Sequence, residues 1–127
     1  MKINRRRFDR FILTPGYTPV AVKLLADDTF SFEGHAYDIS EAGLRFELDQ
    51  PIEPGTPVAI EVTLPGGPRS LTDDNRVCAM GSVVWVDDDP DEPGPVRMAA
   101  AFTRFARTSD KERLLSQLGS GRLARAA

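Results

Sequence analysis

Six short apolar runs, separated by proline, glycine and aspartate, leave this chain few ways to fold. Gly43–Leu48 is the clearest of them. Leu44, Phe46 and Leu48 alternate with Arg45 and Glu47, the two-residue period of a half-buried strand. Residues 58–64 repeat the pattern with Val58, Ile60, Val62 and Leu64 on one side. Residues 18–25, 30–37, 77–86 and 96–102 complete the set, the fifth run being expected to bulge at Gly81. Turn residues recur at a spacing of about eight to twelve, which predicts a small antiparallel barrel or sandwich.

The period changes at the C-terminal end. Ser109-Asp110-Lys111-Glu112 reads as a capping box with Ser109 at N-cap and Glu112 at N3. Leu114, Leu115 and Leu118 form an apolar stripe, and Gly119 is a stop signal. This predicts a short amphipathic helix whose leucines close one end of the sheet structure. A dimer contact is the competing use of the same stripe.

At 127 residues, with 41% apolar and 28% charged residues, the chain reads as one soluble domain with a single core. No apolar run approaches the roughly 20 residues needed to span a bilayer. The N-terminus lacks the apolar segment of a secretory signal, so a cytoplasmic location without membrane insertion is expected. Cys78 is the only cysteine, which excludes an internal disulfide and suggests a small buried side chain. His35 has no second histidine to share a metal with, so no metal site is expected. The glycines of residues 65–76 lack the Lys-Ser/Thr of a phosphate loop. The acids of residues 87–92 lack the ligand spacing of a calcium loop, and both stretches read as solvated loops. No nucleophile–base set stands out, and no enzymatic activity is expected.

Charge is distributed unevenly. Residues 1–10 hold Lys2, Arg5, Arg6, Arg7 and Arg10 against Asp9, a local +4 within a chain of −3, which leaves −7 on the rest. A basic arm on an acidic body suits a small dianion better than a long polyanion, so nucleic acid is not the expected partner. Phe8 and Phe11 within the arm argue that it docks.

A second polar cluster, Asp38-Ile39-Ser40-Glu41-Ala42-Gly43, sits at a turn between two predicted strands. Asp38 and Ser40 are two apart on extended chain and share a side, which turns Ile39 to the core. Gly43 stands where a hairpin often needs positive φ. Alone, the cluster could simply brace its turn through side-chain-to-backbone bonds. With the arginines it offers planar donor forks for phosphate or the guanine edge, a carboxylate for N–H donors, and room for close backbone approach.

Read together, Arg5-Arg6-x-x-x-Arg10 and Asp38-x-Ser40-x-x-Gly43 resemble the signature of PilZ domains, bacterial receptors for cyclic di-GMP. The resemblance extends along most of the chain, through residues 83–86, the acidic loop, Ala101-Phe102 and the leucine helix. It implies an all-β fold, a six-stranded antiparallel β-barrel with a C-terminal α-helix. It also implies a cyclic di-GMP site formed by Arg5, Arg6, Arg10, Asp38, Ser40 and Gly43, with no cofactor. Arg5, just before the second arm arginine, leans toward an intercalated nucleotide pair. One departure is visible: Ala99-Ala100-Ala101 stands where many members carry a glycine before the final strand's phenylalanine.

These readings divide the chain into a flexible arginine arm (1–16), a barrel with helix (17–119) and a tail (120–127). The expected function is a receptor that couples cyclic di-GMP to an unidentified effector protein as its arm orders, acting as a monomer or weak dimer. The alternative is a PilZ-like interaction scaffold that binds no nucleotide. A small barrel binding single-stranded nucleic acid is disfavoured by the acidic body. Trp85 and Tyr37 are expected as core or rim aromatics rather than stacking platforms.

Overall fold

The computed structural model describes residues 9–13, 18–64, 75–87, 91, 94–121 and 123–125. Six long strands follow the predicted runs: β2 (Pro19–Leu24), β3 (Phe32–Ile39), β4 (Gly43–Leu48), β5 (Pro57–Thr63), β6 (Arg76–Asp87) and β7 (Val96–Phe105). They pair antiparallel in the order β3-β2-β5-β6-β7-β4, and the additional pairing of β3 with β4 closes the barrel. A two-residue strand, β1 (Phe11–Ile12), lies beside the end of β3. One helix, α1 (Thr108–Leu118), follows. Among the described residues no helix is long and apolar enough to cross a membrane.

Alternation explains why the core sits inside the barrel. Val20 and Val22, Leu44, Phe46 and Leu48, Val58, Ile60 and Val62, and Val96, Met98 and Ala100 all point inward and are buried. Each large aliphatic or aromatic side chain buried this way contributes roughly 1.5–3 kcal/mol. Strand β3 breaks the rule in a useful way. Its buried residues are Ala36 and Ile39, three apart, and the register against β4 shifts between Ala36 and Asp38. The bulge lets Ile39 stay in the core while Tyr37 and Asp38 both remain outside it.

Three of the described glycines are required by proximity rather than by backbone hand, the tightest being Gly34, where a Cβ would overlap the Glu47 carbonyl oxygen. A Cβ on Gly43 would collide with the Ala100 carbonyl oxygen, and one on Gly81 with the Ala101 carbonyl oxygen. The positive-φ glycines among the described residues are Gly55, Gly94 and Gly121, so the expectation of positive φ at Gly43 is corrected. The predicted irregularity at Gly81 is present as a register shift against β7. Ala99-Ala100-Ala101 is thus the stretch where β4 and β6 press on β7 from both sides.

The helix begins elsewhere than its capping motif suggests. Arg107 is the N-cap and Asp110 occupies N3, in place of Ser109 and Glu112. The reason is tertiary. Asp110 is fully buried and accepts hydrogen bonds from the Cys78 backbone N–H on β6 (3.2 Å) and from the Arg107 N–H (3.0 Å). Arg107 and Arg113 complete its shell, at 3.2 and 3.4 Å. A buried carboxylate is stable only with such a full set of donors, so the chain ends its turn where Asp110 can reach β6. Leu114 is then buried and Leu118 packs on the core, whereas Leu115 remains exposed. Cys78 is half-buried rather than sealed in, and burial, with Asp110 and Glu61 nearby, pushes its thiol pKa up.

The arm expected over residues 1–16 contains an ordered piece. Phe11 and Leu13 are buried members of the core, and β1 pairs Phe11 with Ile39 and Ile12 with Asp38. In the tail, Leu123 packs against the core and Arg125 forms a bridge with Phe11.

The Asp110 anchor generates a prediction. Asp110→Ala leaves the Cys78 and Arg107 N–H groups without their acceptor and removes the carboxylate that Arg107 and Arg113 share, which costs about 3–5 kcal/mol and lowers Tm by about 10 °C or more. Ser109→Ala, at an exposed helical position, stays within about 0.5 kcal/mol of the parent. Thermal melting of the two variants checks this, and equal effects contradict the assignment.

Candidate functional site

Strand pairing brings most of the predicted site residues to one end of β3. Ile12 stands opposite Asp38 and Phe11 opposite Ile39, and extending that register by one residue carries Arg10 alongside Ser40. The Leu13 N–H donates to the Tyr37 carbonyl at 2.8 Å and holds the strand there. Arg10 is half-buried, and its Nε is buried without an acceptor among the described residues. A buried guanidinium donor with nothing to bond is costly, and such a group is poised for an acceptor from outside. Arg5 and Arg6 lie outside the described residues.

The turn after β3 is shaped by its own motif. Ser40 is buried, its N–H donates to the Gly43 carbonyl at 2.9 Å, and its Oγ accepts from the Ala42 N–H at 3.0 Å. The Ala42 carbonyl takes the Phe102 N–H from β7 at 2.8 Å. The turn is therefore tied to the last strand at the point where Gly43 lacks a Cβ. Asp38 lies opposite Arg45 across β3 and β4, with Arg45 Nη1 3.7 Å from Asp38 Oδ2. So Arg10, Asp38, Ser40 and Gly43 come together, with Asp38 and Ser40 each already engaged inside the protein.

Residues of three other strands join them. A surface cavity of about 380 Å³ begins at Asp38 and is lined by Tyr37, Arg45, Trp85, Asp87 and Arg97, floored by Phe46 and Met98. The Arg45 guanidinium lies 5.9 Å from the Trp85 ring centre, and that of Arg97 lies 5.9 Å from the Tyr37 ring centre. Trp85 is well exposed, a rim aromatic. Arg45, Arg97 and the stacking geometry escaped sequence reasoning. The outward position of Arg45 followed from alternation, but its register against Asp38 did not. A larger depression of about 500 Å³, lined by Glu41, Phe102, Arg104, Phe105 and Lys111, flanks the other side of the turn.

Chemically, the cavity presents cation-backed aromatic faces beside a carboxylate, and Arg10 presents a guanidinium alongside Ser40, two residues along the chain from Asp38. Flat heteroaromatic rings carrying N–H donors fit the first, and a phosphate fits the second. Among the described residues no cluster of histidine, cysteine and carboxylates could hold a metal.

Tyr37 offers a pH test of this region. Burial, and then its hydrogen bond to Glu47 and that carboxylate's charge, raise the phenol above its ordinary pKa of 10.0, with Arg97 pulling the other way. The folded form therefore holds its proton where the unfolded chain has lost it. This contribution to stability is complete below pH 10.0 and disappears as pH rises through the folded value. In ultraviolet titration the Tyr37 phenolate is expected to form above pH 10.0, and earlier in Glu47→Gln than in the parent. An unshifted curve in that variant contradicts the coupling.

The fold has counterparts in known proteins. The PilZ domain of YcgR from Escherichia coli, solved with c-di-GMP, superposes with a TM-score of 0.66 at 19% identity, covering 92% of this chain and 91% of that one. The K. pneumonia MrkH–c-di-GMP complex gives 0.63 at 17% identity, covering 91% of this chain. The Bacillus subtilis inhibitor of motility (MotI/DgrA) gives 0.60 at 19% identity, covering 91%. The chain spans only about half of these last two proteins, 51% and 49% respectively. No curated protein sequence matches it. The sequence model for the PilZ domain matches residues 4–119, nearly the full length, and the chain belongs to the PilZ domain family.

Proposed function

We propose that this protein is a receptor for cyclic di-GMP, with a site built from Arg5, Arg6, Arg10, Asp38, Ser40 and Gly43 and extended by Arg45, Trp85 and Arg97. The observation that carries the reading is Arg10, whose buried Nε has no acceptor among the described residues, beside the Asp38–Gly43 turn. That the YcgR domain and MrkH were solved with c-di-GMP supports it. Arginines of the arm take the phosphates and the O6/N7 edge of guanine, as their planar forks allow. Asp38 accepts from guanine N–H groups, Gly43 keeps the backbone accessible, and the Arg45–Trp85 pair offers a stacking face.

Binding requires exchange of existing partners. Asp38 leaves or shares the Arg45 guanidinium, which lies 3.7 Å away on a half-exposed side chain. Arg5 and Arg6 then close on the ligand beside Arg10, and the surface formed there is what an effector protein reads. The ligand is held and released unchanged. A second reading, an interaction scaffold that binds no nucleotide, draws on the engagement of Asp38 by Arg45 and of Ser40 by Ala42 without any ligand.

Isothermal titration with cyclic di-GMP separates the two and reports whether one nucleotide or an intercalated pair binds. Micromolar or tighter affinity is expected, and Arg10→Ala reduces it by roughly 30-fold or more through loss of a charge-assisted contact. Asp38→Ala weakens binding at least about tenfold, through guanine donors left unpaired, while its Tm stays near the parent's. No heat with roughly 100 μM nucleotide sinks the receptor reading. Asp38→Ala binding lost only in proportion to unfolding assigns that residue to bracing the turn.

A further inference from the structure

We infer that the C-terminal segment Leu123–Arg125 is a positioning element of the nucleotide site, clamping β1 from its outer edge and so aiming Arg10. The inference rests on the receptor reading and adds to it an element that neither sequence motif contains.

A strand of two residues has too few bonds to hold itself in place. One edge of β1 is bonded to β3, where the Leu13 N–H meets the Tyr37 carbonyl at 2.8 Å. The other edge would be open without the tail. There the Ile12 N–H donates to the Ala124 carbonyl at 2.7 Å, and Arg125 stands opposite Phe11 as an antiparallel bridge. Arg125 Nε also lies 3.6 Å from Asp9 Oδ2. The segment thus grips the residues on both sides of Arg10, Asp9 before it and Phe11 after it. Leu123, packed on the core, anchors the grip to the barrel.

These contacts are unequal. The Asp9–Arg125 pair is largely exposed, 64% and 73%, so solvent screens it and it orients more than it holds. The backbone bond and the burial of Leu123 carry the clamp. With the tail docked, the chain on either side of Arg10 is fixed before the ligand arrives, and less conformational entropy is lost on binding. Linkage makes the effect reciprocal. By whatever factor tail docking raises nucleotide affinity, nucleotide raises tail docking. The bland alternative, a tail that only covers an open edge, predicts an effect on stability without one on affinity.

The test compares the full chain with a variant ending at Gly121 and with Leu123→Asp, which frees the tail without removing it. In the absence of nucleotide, amide exchange at Ile12 is expected to accelerate in both variants while Ile60 and Val62 in the core stay protected. Titration with cyclic di-GMP is expected to show binding about tenfold weaker than the parent, within the range typical of coupled sites. If the truncated chain fails to fold, Leu123→Asp decides alone. Variants that bind within about twofold of the parent, or an Ile12 amide that exchanges as before, overturn the inference and leave the receptor reading standing. A parent chain that binds no nucleotide removes the receptor reading instead, and Ile12 exchange still reports whether the tail holds β1.

Discussion

The pairing of β3 with β4, which turns a run of antiparallel strands into a closed barrel, is also what assembles the candidate site. Closure brings β3 against β4 at Glu47, where Gly34 carries no Cβ, while Gly43 and Gly81 let β4 and β6 approach β7 at Ala100 and Ala101. It also demands the bulge in β3, since an unbroken strand could not bury both Ala36 and Ile39. The same bulge sends Tyr37 and Asp38 outward together, Asp38 opposite Arg45 and the Tyr37 hydroxyl bonded to Glu47. Substituting Gly43 therefore affects more than a turn. It perturbs the seam on which Asp38, Ser40 and the cavity all depend.

How much of this was legible in the sequence varied with how local the cause was. Alternation in residues 43–48 and 58–64 announced the strands, because side-chain period is a property of the segment itself. The motif residues of the turn were legible for the same reason, as chemistry packed into six consecutive positions. Strand β1 was not, since Phe11-Ile12-Leu13 is too short to show a period and its reason for existing is Ile39 and Asp38, far along the chain. The helix start was misread because Ser109 and Glu112 fit a local rule, while Asp110 answers to a backbone N–H on β6. Gly43 was rightly singled out for the wrong cause: a neighbouring carbonyl, not φ, excludes a side chain. Arg45, Trp85 and Arg97 come from three strands, and only the register of those strands makes them neighbours.

The architecture suits a device that reads a small anionic ligand and passes the result on. In the proposed reading the barrel supplies fixed acceptors and a stacking face, and the arginines supply the donors. Arg10 sits at the join, one residue before the chain enters the core at Phe11. That location explains how a short arm can be aimed without being long enough to fold alone. With the tail on its other edge, β1 links both ends of the chain to the site.

The most direct test of the account is a backbone and indole NMR titration of the protein with cyclic di-GMP. Saturable shifts concentrated at residues 9–13 and 37–43, at Arg45 and Arg97, and at the Trp85 indole are expected, with β5 little affected. Shifts absent throughout, or gathered at the depression between Phe102 and Lys111 while Arg10 and Asp38 stay still, would contradict it.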